Sequence, residues 1–219
     1  MVSTALLAGF LAGLWLFVIQ RSSTQPLIRS AETYEKASSL ESRSDAFAME
    51  PLRSISTFLG DVFLAVGFGL IVTGIYTVSG SGGWKLGLLV GLAGFVTFHL
   101  APAVVVPPAV PGMEVAPLAL RQTAWLVAVA SAVTGIILFF YLSGLARLSG
   151  LLILALPGVV FRFLVPLGAP STPLPSLALV DHAFVTRTLG VMLVFWLILG
   201  TLSGYLFARA QRNAAALVN

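Results

Sequence analysis

The chain has 219 residues, of which 58% are hydrophobic and only 9% charged, with 12 Lys and Arg against 8 Asp and Glu for a net charge of +4. A soluble domain usually carries about 25% charged residues. So few charges cannot clothe a water-facing surface, while hydrocarbon accepts apolar side chains and penalises charge. The basic residues are dispersed and leave no footprint for nucleic acid, and without Cys there is no disulfide and no thiolate metal site. The composition speaks against a soluble enzyme. It specifies an all-α, polytopic transmembrane helix bundle: a single transmembrane domain over residues 1–219, with about six hydrophobic helices in membrane lipid and short loops between them.

A hydrocarbon core about 30 Å thick needs roughly 20 apolar residues per helix. The first such run is 2–20. No positive segment precedes it and no small-x-small cleavage site follows, so it reads as a retained first helix rather than a signal peptide. A polar first loop, 21–54, holds five of the eight acidic residues. The second run is 55–78, and the turn Ser79-Gly80-Ser81-Gly82-Gly83 leads to the third, 84–106. A proline-rich loop, Pro107-Pro108-Ala109-Val110-Pro111-Gly112, ends it. The fourth run is 123–145, and Arg147 marks a tight connection to the fifth, 149–167. Pro157 removes a backbone donor and Gly158 adds freedom, so the fifth segment is expected to be interrupted there. A Pro- and Ser-rich last loop, 169–182, precedes the sixth run, 188–207.

Small residues recur four apart at Gly9 and Gly13, Gly87 and Gly91, Ala124, Ala128 and Ala132, and Gly200 and Gly204. Such stripes let helix backbones approach within the bundle or between subunits, and carry no chemistry. With six spans, Lys85, Arg147, Arg209 and Arg212 lie on the side of both termini. The larger number of basic residues on the other side favours a cytoplasmic first loop, which also carries five acids, so orientation stays open.

Ionisable groups inside a membrane are functional candidates by default. Asp61 lies two turns into the second run and Arg162 within the fifth. They pair with each other, or Asp61 lines a substrate path, or Arg162 sits near an interface. His99 stands three residues before Pro102, which cannot donate to the helix ladder. It is either a metal ligand or a hydrogen-bonding stitch at the helix end. Glu32 and Glu35 fall on one helical face and either gather a cation or form a solvated surface. Asp181 with His182 is a weaker cation pair, and Met113 with Glu114 is mismatched in softness. The chain has no phosphate loop for ATP, no nucleophile with a base and an orienting acid, and no histidine pair for haem. It is not expected to be an enzyme or to hold a permanent cofactor.

Several strings resemble, in order and spacing, the family of probable cobalt transporter subunits called CbtA, which are small bacterial membrane proteins. The first loop reads Gln25-Pro26-Leu27-Ile28 and then Ala31-Glu32-Thr33-Tyr34-Glu35, similar to the family's "TPLI…AE-x-YE" with Gln25 for its Thr. Gly91-Leu92-Ala93-Gly94-Phe95, Leu100-Ala101-Pro102 and the loop Pro107 to Gly112 resemble "GLAGF…LAP…PPELPG". Arg121-Gln122 with Trp125 resembles "RQ-x-WW", and the stretch from Gly200 to Phe207 resembles "G-x-LSGWLF". The chain departs from the family at Ala109, where the pattern has Glu, at Ala124, where it has Trp, and at Gly158, where it tends to have His.

The resemblance implies a multi-pass subunit of the bacterial inner membrane that takes up a divalent metal, cobalt, for cobalamin synthesis. Co2+ would be the transported ion. Glu32 and Glu35 would capture it, and Asp61 and His99 would line its path. A small His-rich CbtB-like partner subunit is expected beside it. The competing reading is a non-catalytic accessory or structural subunit packed on a larger membrane complex, for which the departures at Ala109 and Gly158 leave room.

Overall fold

A computed structural model describes residues 2–37, 44–113, 115–163 and 175–216, with side chains described for these except 34–37, 44–50 and 175–177. Most of the described residues are helical, and none is in a strand. In chain order they form α1 (Val2–Ser23), α2 (Gln25–Ala37), α3 (Ser44–Ser79), α4 (Trp84–Phe95), a π-helical turn (Val96–Leu100) and α5 (Ala101–Val105). Then come α6 (Leu118–Tyr141), a 3-10 turn (Gly144–Arg147), α7 (Leu148–Phe163) and α8 (Pro175–Ala216). Six segments are long and apolar enough to cross a membrane, as expected: Val2–Ser23, Pro51–Ser79, Trp84–Val105, Leu118–Tyr141, Gly144–Phe163 and Ala178–Ala216.

Two helices reach well beyond the apolar runs that announced them. Helix α8 starts at Pro175 and continues past Asp181, His182 and Arg187, so 175–182 of the expected last loop is helical. A run of hydropathy marks only the part suited to hydrocarbon, whereas polar side chains can extend the same helix beyond it. Pro at a helix start costs nothing, because its missing N–H is one the first turn leaves unpaired anyway. Likewise α2 and the first turns of α3 fall inside the polar stretch 21–54. Helix α2 is amphipathic: Ala31 is fully buried, while Arg29 and Thr33 are exposed.

The described residues within 1–26, 36–92 and 190–219 form one compact unit. Here α1 lies along α3 on its glycines. A methyl group on Gly9 would lie 2.5 Å from Val66 Cα, and one on Gly13 would lie 2.8 Å from Val62 Cα. Helices α4 and α8 meet in the same way: a methyl on Gly87 would strike the Gly200 carbonyl, and one on Gly200 the Gly87 carbonyl. The Tyr76 hydroxyl, from α3, donates to the Gly200 carbonyl at 3.1 Å, so the phenol enters the core with its polar end satisfied. Around it Phe195, Trp196, Leu199 and Phe207 are buried. The Gly83 N–H donates to the Gly204 carbonyl at 2.9 Å and fastens the Gly-rich turn to α8. By contrast, Gly60, Gly67 and Gly74 on α3 have nothing within 4 Å.

The described residues within 27–35 and 93–189 form the second unit. Helices α6 and α7, joined by the tight 3-10 turn, touch where Gly135 faces Gly150: a methyl on Gly135 would lie 2.5 Å from the Gly150 carbonyl. On α6, Ala124 and Ala128 are buried with Val105, and Val106 and Phe161 pack against them. The small-residue stripes therefore serve packing inside the described chain.

The expected interruption at Pro157 does not occur. Helix α7 runs unbroken from Leu148 to Phe163 with Pro157 inside it, while 164–167 lie outside the described residues. Pro157 is buried, and a methyl on Gly158 would lie 3.0 Å from Val104 Cγ1. Neighbouring helices hold such a segment together, and in lipid a proline is tolerated where local adjustment re-satisfies the backbone. Gly158 thus serves close approach of α5 rather than a break.

Gly200→Val should destabilise the detergent-solubilised protein by about 1–3 kcal/mol or more, because its methyls meet backbone that cannot yield. Gly67→Ala, with open space around it, should leave the thermal unfolding midpoint unchanged or raise it slightly. Equal sensitivity at the two positions would contradict this packing scheme.

Candidate functional site

His99 lies in the π-helical turn Val96–Leu100. The Ala101 N–H donates to the Val96 carbonyl, five residues back, which is the π register. Pro102 follows, buried, and brings no N–H to the ladder. The wider turn offers the proline ring space that a regular α-helix denies it. The rings of Phe95 and His99 are nearly parallel, 6° apart in plane with centroids 6.5 Å apart. Residue 99 is half-buried. The irregularity expected of the fifth segment therefore sits in the third, beside the intramembrane histidine.

A pocket of about 600 Å3 opens at this turn within the second unit. Its wall includes His99 and Pro102 from the broken helix, Pro107 and Pro108 from the loop, and Arg121, Gln122 and Trp125 from the first turns of α6. Segments far apart in sequence converge here, and they are ones that carry the family resemblance. In the sequence Arg121, Gln122 and Trp125 carry the family resemblance and no assigned chemistry. Their position at the start of a membrane-spanning helix, directly after a proline-rich loop, was the available signal. Arg and Trp are suited to the membrane–water boundary, where a polar head stays wet and the stem or ring stays apolar.

The chemistry of this wall is one imidazole, one amide, one guanidinium and the Thr188 hydroxyl; among the described residues no carboxylate lines it. An imidazole nitrogen can ligate a transition metal. The guanidinium works against a bare cation. A doubly charged ion about 8 Å from one fixed positive charge meets roughly 4 kcal/mol of repulsion at an effective dielectric constant of about 20.

The acidic candidates lie elsewhere. Asp61 is buried in the first unit, where Gln20 of α1 donates from Nε2 to its Oδ1 at 3.5 Å. Its Oδ2 has no hydrogen-bond partner. This amide meets the Asp61 carboxylate, and Arg162, one of the alternatives raised for it, is exposed near the end of α7. The Arg21 guanidinium donates to Ser54 Oγ at 3.0 Å, a second polar tie between α1 and α3. Glu32 is half-buried on α2, beside the buried Ala31, and the Glu35 side chain lies outside the described residues. Among the described residues no three His, Asp or Glu side chains gather as a metal site.

Asp181 has a structural task. It accepts a hydrogen bond from the Val110 N–H at 3.0 Å and so clasps the proline-rich loop to α8. Ala31 and Val110 are buried together, with Met113, Val180 and Phe184 packed on them. The first-loop helix, the proline-rich loop and the start of α8 thus share one small core. Met113 is part of that core, Glu114 lies outside the described residues, and His182 is exposed. Asp181→Ala should unfasten the loop and cost about 1–3 kcal/mol, read as a lowered unfolding midpoint and faster proteolysis at 107–113. Asp181→Asn keeps an acceptor and should cost less. Equal effects would show that charge rather than the clasp is at work.

No curated protein and no solved structure matches the chain. One family model does: the probable cobalt transporter subunit CbtA, over residues 1–208. The match takes in the broken third span, the pocket around His99 and the glycine crossings of α8. This multi-pass chain, with its six apolar helices, belongs to the CbtA family of probable cobalt transporter subunits.

Proposed function

We propose that this chain is the membrane-embedded subunit of a cobalt uptake system of the bacterial inner membrane that feeds cobalamin synthesis. The observation that carries the reading is the pocket at His99, on which segments shared with a family of cobalt transporter subunits converge. In this reading Glu32 and Glu35, on α2, gather the cation at the membrane surface. His99 meets it in the pocket, and Asp61 is a second carboxylate contact within a span. The unpartnered Oδ2 of a buried carboxylate supports that role for Asp61, because such an atom in hydrocarbon is costly unless something visits it. The chain supplies no ATP-binding loop, so energy comes from an ion or potential gradient or from another subunit. The word subunit in the family description implies a partner, and a small His-rich CbtB-like protein fits, since it would add the imidazoles this chain lacks.

A second reading, an accessory subunit packed on a larger membrane complex, is favoured by two observations. The described residues gather no three-ligand metal site. The positions where the family pattern has Trp and His are here Ala124 and Gly158, which pack at Val105 and Val104. In both places a small residue lets α5 close in where a larger or ligating side chain would stand.

Cobalt uptake in cells with and without the gene separates the two readings. Gene-dependent uptake supports transport, and its absence with normal protein abundance supports the accessory role. Within the transport reading, His99→Ala should abolish most uptake at unchanged abundance. Normal abundance with normal uptake would remove His99 from the mechanism, and a fall in uptake matching a fall in abundance would leave it a structural stitch.

A further inference from the structure

The pocket at His99 is poorly built for a bare ion and well built for something larger. Its volume is about 600 Å3. A divalent ion with its first shell of six waters fills roughly 200 Å3, counting about 30 Å3 per water. Pockets for small organic ligands span about 300–1,000 Å3 and combine an apolar wall with a few placed polar groups. That description fits here: prolines, Trp125 and aliphatic side chains form most of the wall, and His99, Arg121, Gln122 and Thr188 supply polar atoms.

The charge pattern points the same way. Among the described residues, Arg121 is the only ionisable group on the wall apart from the histidine. A guanidinium is shaped for the two oxygens of a carboxylate and repels a naked cation. A lone imidazole is a single metal ligand, too few to strip an aquo ion of its water. The two become complementary when the metal arrives already held by an anionic oxygen chelator.

We infer that the cargo enters this pocket as a divalent metal in a complex with a small carboxylate chelator, not as the free ion. This rests on the cobalt uptake reading above and names the form in which the metal is recognised. His99 displaces one metal-bound water: a metal–oxygen bond breaks, a metal–nitrogen bond forms, the water leaves to bulk, and the oxidation state is unchanged. Arg121 pairs with a carboxylate of the chelator, Gln122 hydrogen-bonds its remaining oxygens, and Trp125 covers its carbon skeleton.

The test is equilibrium binding to the full chain in phosphatidylcholine nanodiscs, with three probes: Co2+ alone, Co2+ with equimolar citrate, and citrate alone. The complex should bind at least about tenfold more tightly than either component. Arg121→Gln should remove that preference and, by lifting the guanidinium's repulsion, tighten the binding of Co2+ alone, while His99→Ala should lower the complex to the level of citrate alone. Should Arg121→Gln fail to fold, Arg121→Lys is read in its place, and the preference should shrink without vanishing. Equal binding of Co2+ with and without citrate, or a preference that survives Arg121→Gln, overturns the inference. So does citrate alone binding as tightly as the complex. A lipid phosphate is the other source of an anion for Arg121. Loss of the preference in phosphatidylglycerol discs would assign Arg121 to lipid and likewise overturn the inference. Gene-dependent uptake of free Co2+ that Arg121→Gln leaves intact would end this inference alone, whereas no gene-dependent cobalt uptake in either form ends the uptake reading and this inference with it.

Discussion

Hydrocarbon offers a backbone N–H or carbonyl no partner, so every such group in a membrane span must find one within the protein. Helices meet that demand by themselves, and the apolar side chains around them then have little reason to leave lipid for one another. Association has to come from close contact, and here the contacts are made at glycine. Gly9 and Gly13 admit α3 to α1, Gly87 and Gly200 admit α4 and α8 to each other, and Gly135 and Gly150 do the same for α6 and α7. Polar ties are few and specific. Tyr76 reaches the Gly200 carbonyl, and Gln20 reaches Asp61. A chain with so little charge holds its shape through backbone proximity, and the side chains at these crossings are small because they must be.

The same constraint makes the departure at His99 informative. A π-helical turn followed by Pro102 gives up regular hydrogen bonding within a span, which is tolerated only where neighbouring groups or a cavity compensate. The cavity is there, with Arg121, Gln122 and Trp125 across from the opened turn. Proline alone does not decide where a helix opens. Pro157 sits in an unbroken α7, beside a glycine that takes Val104 against it, and Pro102 sits beside a widened turn. What differs is the neighbourhood: Pro157 is buried with the Val104 side chain close at Gly158, whereas Pro102 lines a pocket.

Much of the architecture was legible from residue order. Six spans follow from the lengths of the apolar runs, because a bilayer of fixed thickness sets a narrow length for a helix. The stripes at Gly9, Gly87, Ala124 and Gly200 marked packing faces, and they pack. The starts of α8 and α3 were not legible, since hydropathy is silent where a helix leaves hydrocarbon and stays helical in polar surroundings. The irregular turn was expected at Pro157 and lies beside Pro102, because sequence shows the missing donor and not the neighbours that absorb its loss. Of the candidate site, His99 was visible as an ionisable group in an apolar run. Arg121 was not, because its separation from His99 along the chain hides their shared pocket. Asp181 looked like half of a cation pair and proved to be a clasp on Val110, a role set by a loop 71 residues away.

The central claim is that His99 is where the chain touches its metal. X-ray absorption at the cobalt edge, on the lipid-reconstituted protein loaded with cobalt, reads the ligand shell directly. The expected result is one imidazole nitrogen among oxygen ligands, with the imidazole scattering lost in His99→Ala. An oxygen-only shell in the wild-type protein, or an imidazole signature that persists without His99, would contradict it.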